Sequence, residues 1–132
     1  MPPTPAAPAR YAVATLGAVL GALARAGLSA ALPHPAGGFP TATLLTNLLG
    51  CAVMGALAPV LGRHHPLISL GCLTGVLGGF TTYSTFAVDA GLLSGADHDR
   101  LAVVYAVSTL AGCFVCALTA LSVSTWAVER RR

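Results

Sequence analysis

Lysine is absent. The seven basic residues are all arginine and face four acids in 132 residues, so charged side chains make up 8% of the chain, against roughly 25% in an average soluble domain. With so few cations, counterion release has little to work with, which excludes nucleic-acid binding as the function. A disulfide scaffold is excluded by context. Cys51, Cys72, Cys113 and Cys116 all lie inside apolar runs, where they read as small hydrophobes, whereas a secreted scaffold carries its cysteines in loops of a polar chain. Cys113 and Cys116 spell C-x-x-C, but without a second pair or a nearby His the spacing supplies neither a zinc site nor a redox motif. His34, His64, His65 and His98 fall in polar gaps between apolar runs and read as solvated loop residues. No nucleophile, base and orienting group occur as a set, which disfavours an enzyme.

What the chain has is apolar length. Hydrophobic residues are 55% of it and mean hydropathy is +0.79, spread along almost the whole sequence, so the solvent for most of this protein is membrane lipid. Residues 11–32, 41–62, 67–93 and 101–128 each supply the roughly 20 mostly apolar residues that a spanning helix needs. The segments between them, 33–40, 63–66 and 94–100, have turn and cap chemistry and suit antiparallel neighbours. The expected fold class is an all-α membrane protein, with residues 1–132 as one integral membrane domain of four transmembrane helices. The opening segment with its apolar run to Ala24-Arg25-Ala26 also resembles a signal peptide; cleavage there would discard a run long enough to span, and a retained first helix is expected.

Arginine placement sets orientation, because loops near the helix ends decide it. Arg10, Arg63, Arg130, Arg131 and Arg132 lie on the side of the termini and Arg100 alone lies opposite. Both termini are therefore expected in the cytoplasm, in a multi-pass protein of the cell membrane.

Polar groups inside the apolar runs are costly and ask for a partner or a watered path. Arg25, Asn47 and Asp89 are the strongest of them, since Ser and Thr can bond a carbonyl one turn back. Thr43 and Asn47 are four apart on one helical face, with Thr46 and Gly50 beside them; that stripe is either an interhelical seam or the wall of an aqueous pore. In the third run Gly78-Gly79-Phe80-Thr81-Thr82 is poor helix material. A break is expected at 78–82, against the alternative of an unbroken helix whose glycines only permit close packing, as Gly17 with Gly21 and Gly71 with Gly75 would. A break at bilayer depth must be buried or line a cavity, and its freed carbonyls need donors, water or a cation.

Three motifs carry a family resemblance. Gly21-Ala22-Leu23-Ala24-Arg25, Thr43-Leu44-Leu45-Thr46-Asn47-Leu48-Leu49-Gly50 and Gly78-Gly79-Phe80-Thr81-Thr82-Tyr83-Ser84-Thr85-Phe86 resemble the helix signatures of the Fluc (CrcB-type) fluoride channels, the third being the most specific. Tyr83 stands where the family usually has the first of two pore phenylalanines, Cys51 where it often has Ser, and Asp89 where it usually has Glu.

The resemblance implies a fluoride-selective channel that lets cytoplasmic fluoride leave passively and so lowers its toxicity, built as an antiparallel dual-topology dimer. It places Phe86 and Tyr83 along the fluoride path, with Asn47, Thr43, Ser84 and Thr85 beside them and Tyr105, Ser108 or Thr109 contributed by the fourth helix. It also implies a structural, non-transported Na+ held by the backbone carbonyls of Gly78 and Thr81, with Gly78 expected to need glycine's backbone freedom. Arg25 is either a vestibule residue that concentrates anions or a paired or snorkelling cation; Asp89 is either a vestibule residue or a polar cap. The arginine count favours one orientation, so the inverted half is expected from a second, homologous subunit, with a homodimer as the alternative.

The physics suits such a path. Fluoride is small and strongly hydrated, so uncharged donors and electropositive ring edges must replace its water, whereas fixed positive charge would hold it too tightly to leave. A small multidrug-type proton-coupled transporter would need a carboxylate in the first helix, and residues 11–32 contain none. An accessory membrane subunit without transport activity would not require the Asn47 stripe and the 78–86 segment together.

Overall fold

The computed structural model describes residues 6–35 and 37–130; Arg131 and Arg132 of the orientation count lie outside them. Helix α1 is Ala7–Ala31, α2 Thr41–Leu61, α3 Pro66–Ser69, α4 Gly78–Phe80, α5 Tyr83–Gly95 and α6 Asp99–Arg130, with a π-helical stretch at Leu70–Leu77 joining α3 to α4. Four of these assemblies are long and apolar enough to cross a membrane: α1, α2, the third span Pro66–Gly95, and α6. The spans overrun the sequence boundaries by a few residues at several ends. Pro8 enters α1 in its first turn, where a missing N–H costs nothing. The His65 ring nitrogen accepts from Leu67 N–H at 3.3 Å to open the third span, and Asp99 and Arg130 occupy the first and last turns of α6, the signs the helix dipole favours.

The principal packing is between alternate spans rather than sequential ones: α1 lies on the first half of the third span, and α2 lies on α6. Both pairs are parallel. Gly17 meets Gly71 and Gly75, and Gly21 meets Val76 and Phe80. A Cβ on Gly17 would stand 2.5 Å from the Gly71 carbonyl oxygen, so only glycine lets these backbones touch. In the other pair Gly112 receives Leu48, Gly55 faces Ala117 and Leu121, and Ser124 Oγ donates to the Ala56 carbonyl at 2.6 Å. Glycine-lined close approach selects these partners.

Little of each span is covered. The chain exposes 8170 Å², whereas a soluble monomer of this size exposes about 6,400 Å². Leu16, Phe114 and Trp126 are among the many large apolar side chains that face outward. The buried cluster is small, Phe86, Leu93 and Tyr105 with Phe39, Leu44 and Leu101 around it, and it sits toward the end of the bundle that carries the 33–40 and 96–98 loops. Those loops are tied together by a 3.2 Å contact between His98 Nδ1 and the Gly37 carbonyl.

The third span does break, over two residues rather than five. Gly78 is helical at φ −67°, ψ −33°, and helix continues through Phe80. Thr81 (φ −73°, ψ 154°) and Thr82 (φ −147°, ψ 126°) are extended. The expectation that Gly78 needs glycine's backbone freedom is corrected: its conformation suits any residue, and a Cβ there would meet nothing within 4 Å among the described residues. The hydroxyls end one helix and start the next. Thr81 Oγ1 donates to the Leu77 carbonyl at 2.9 Å, and Thr82 Oγ1 accepts from Thr85 N–H at 3.1 Å as the N-cap of α5.

Candidate functional site

Two extended residues at membrane depth need partners for their backbone groups. Asn47 of α2 supplies those of Thr82: its Oδ1 accepts from Thr82 N–H at 2.8 Å, and its Nδ2 donates to the Thr82 carbonyl at 3.0 Å. The Thr82 N–H that would reach Gly78 O in a continuous helix is thereby diverted, and Thr85 N–H, which would reach Thr81 O, is taken by the Thr82 hydroxyl. Among the described residues no hydrogen bond reaches the Thr81 carbonyl. Arg25 approaches from α1, its Nε donating to the Gly79 carbonyl at 3.3 Å, so within the chain it satisfies the carbonyl end of α4 rather than pairing with a carboxylate.

Beside the break lies a groove of about 250 Å³ between α2, the third span and α6, lined by Asn47, Thr82, Tyr83, Phe86, Thr109 and Cys113 among others. Its aromatic wall continues inward. Tyr83 and Phe86 have ring centroids 5.8 Å apart, Phe86 and Tyr105 5.4 Å, and Tyr105 and Phe39 5.6 Å with rings nearly perpendicular. Tyr83 is 77% exposed and Tyr105 fully buried, so the row runs from an open face into the core. Asp89 stands near its inner end, accepting from Thr43 Oγ1 at 2.7 Å and from Tyr105 OH at 3.4 Å.

The structure therefore brings Asn47, Tyr83, Phe86 and Thr109 to one groove and Thr43, Asp89 and Tyr105 to one cluster. Not all of them keep a hydrogen for a ligand. Thr43 and Tyr105 donate to Asp89, while Ser108 and Thr109 donate to the Tyr105 carbonyl at 3.1 and 2.7 Å. A hydroxyl has one hydrogen, so these four face a ligand as acceptors in this arrangement. Asn47 Nδ2 retains a second N–H, and Thr85 Oγ1 accepts from Thr82 Oγ1 at 3.0 Å, leaving its own hydrogen free. Ser84 Oγ, exposed, sits 3.3 Å from the Thr82 hydroxyl.

Sequence reading missed the role of Thr82, whose backbone is what Asn47 holds; its place after a hydroxyl at the end of a Gly-Gly segment was a capping signal. Cys51 and Cys113, read as packing residues, line the groove. Thr46 Oγ1 is buried without a partner among the described residues.

A family profile described as CrcB-like protein, Camphor Resistance (CrcB), matches residues 12–121. The chain belongs to the CrcB family. Its relatives there include the fluoride-specific ion channel FluC 2 of Streptomyces avermitilis, 43% identical over 102 residues that make 75% of this chain and 65% of that protein. FluC 1 of Streptomyces coelicolor is 42% identical over 90% of this chain and 77% of its own length. FluC 2 of Thermobifida fusca is 41% identical over 90% of both. This CrcB-family chain thus spans just under two thirds of the first relative and more of the other two. With four spans it is a multi-pass membrane protein.

Proposed function

We propose that this chain is half of a fluoride-selective channel, conducting the anion passively out of the cytoplasm along the groove beside the broken third span. The observation that carries the reading is the Asn47 clamp: one amide holds the break open and keeps an N–H for the groove. Around it stand the ring edges of Tyr83 and Phe86 and the hydroxyls of Ser84 and Thr85. These are donors without fixed charge, which replace fluoride's water without trapping it. Thr43, Tyr105, Ser108 and Thr109 join the path as polar lining, Arg25 and Asp89 as its vestibule ends. The similarity to fluoride-specific channels of known name supports the choice of anion.

Two carbonyls freed at the break, those of Gly78 and Thr81, suit a structural cation. Gly78 O has lost its usual i+4 donor and Thr81 O has none among the described residues, and backbone oxygens are the hard ligands that Na+ prefers. When bound, Na+ would neutralise the carbonyl ends that meet at the centre of a subunit pair. It is not transported.

The half-open bundle, with Tyr83 exposed on one face, fits pairing with an inverted subunit. Both termini of this chain lie in the cytoplasm in this reading, and a homologous chain of reverse arginine bias is the favoured partner, a homodimer the alternative. At an interior-negative potential near 100 mV one charge carries about 2.3 kcal/mol, so a passive channel holds internal fluoride roughly fiftyfold below external. Fluoride efflux from liposomes containing the purified protein, alone and with its homologue, tests the reading; no efflux beyond protein-free liposomes in either preparation would overturn it.

A further inference from the structure

The parallel register of α2 on α6 repeats down the groove. Thr43 and Tyr105 share Asp89, Asn47 and Thr109 line the groove one turn on, and Cys51 and Cys113 line it after one turn more. Cys51 and Cys113 thus line one groove from two helices at matching heights, and both are half-buried and outside any disulfide. Two thiols from two helices, open to a groove whose other lining offers neutral hydroxyl, amide and ring groups but no carboxylate or imidazole, select a narrow class of ligand. Tetrahedral zinc needs four protein donors, or three and an open position, and among the described residues no group of three or more His, Cys, Asp or Glu is assembled. Hard cations prefer oxygen.

We propose that Cys51 and Cys113 form a two-thiolate site for a soft divalent metal ion of linear preference, mercuric ion being the type, in the wall of the groove. Two S–H bonds break and two S–metal bonds form, the two protons leaving through the groove; nothing is oxidised or reduced. A divalent ion makes the product neutral, whereas a monovalent soft ion would leave a net negative charge in a low-dielectric wall, which is costly. The bridge joins α2 to α6 one turn beyond Asn47, so it both narrows the groove and fixes the two helices against each other. Metal binding stands independently of what the groove conducts; the block of fluoride that it causes rests on the proposed function.

The test uses the full chain carrying Cys72→Ala and Cys116→Ser, purified in detergent and titrated with mercuric chloride. Near-ultraviolet thiolate-to-mercury absorption should saturate at one ion per chain, with both remaining thiols lost to a thiol reagent together. Adding Cys51→Ser or Cys113→Ser should weaken binding at least about a hundredfold, since the second arm supplies the effective concentration; size-exclusion profiles of these near-isosteric variants check that they remain folded. Saturation at two ions per chain, or single-thiol variants that bind as tightly as the pair, would overturn the site. In liposomes carrying this chain together with its homologue, the metal should cut fluoride efflux at least tenfold, with recovery on adding excess small dithiol. One bound ion per chain with efflux unchanged would uphold the metal site and overturn the groove as the fluoride path.

Discussion

Asn47 bonds both backbone groups of Thr82, accepting from its N–H at 2.8 Å and donating to its carbonyl at 3.0 Å. The side chain thus replaces the partners that extended Thr82 gives up inside the membrane. Asn47→Ala leaves both groups unpaired at a cost of about 1–3 kcal/mol each, and it removes the spare N–H. Detergent melting temperature should fall, and fluoride efflux should fall at least tenfold. A variant that melts and conducts like the parent would show that the clamp matters to neither.

Phe86 packs between Tyr83 and Tyr105 with its ring tilted 45° and 40° to theirs, and is only 8% exposed. Phe86→Ile keeps apolar bulk but removes the ring edge, so efflux should be lost while the size-exclusion profile is kept. Tyr83→Phe removes only a hydroxyl from an exposed ring and should retain most of the flux. Equal loss in both would assign the effect to packing of the aromatic row.

Two glycines separate packing from ligand geometry. Gly17→Val drives a branched side chain into the Gly71 carbonyl and should abolish stable expression, overpacking of this kind costing about 1–3 kcal/mol or more. Gly78→Ala should leave the chain's melting temperature within a few degrees, because the position is helical with open space around it. Thr81→Ser preserves both the carbonyl and the hydroxyl bond to Leu77, and should preserve any sodium dependence of thermal stability. Loss of that dependence in Thr81→Ser would sink the carbonyl site.

Orientation is testable in cells expressing this chain alone. A single cysteine at Thr4, outside the described residues, in a Cys-free background should be protected from an impermeant thiol reagent in nearly all copies, with no fluoride efflux until the homologous chain is added. About half the copies labelled in a fully active protein would instead establish the homodimer.

The spans and the existence of a break were legible in sequence because bilayer thickness fixes the length of an apolar run and because Gly-Gly beside hydroxyl and β-branched residues resists helix. The exact break was not. Gly78 and Gly79 looked like the breakers, yet the helix passes through them, and the chain opens at Thr81 and Thr82, where hydroxyls can cap both ends. Thr82's partnership with Asn47 spans 35 residues, which no local pattern encodes. Thr43 and Thr109 could be put on helix faces from the sequence, but whether each hydroxyl keeps its hydrogen depends on Asp89 and on the Tyr105 carbonyl, a matter of rotamers. The π-helical turns at Leu70–Leu77 are not marked by the apolar pattern, which runs through them unchanged.

Contacts between alternate spans set an order of events during synthesis. When α1 and α2 have left the ribosome they have few contacts with each other, so the first hairpin waits in the bilayer without its glycine face or its Asn47 engaged. The third span closes on α1 first and brings Thr82 to Asn47; only α6, the last to emerge, covers α2. A nascent chain stalled before residue 99 would therefore lack the wall that carries Tyr105, Thr109 and Cys113, and its α2 would stay open to whatever quality-control protease samples unpaired helices.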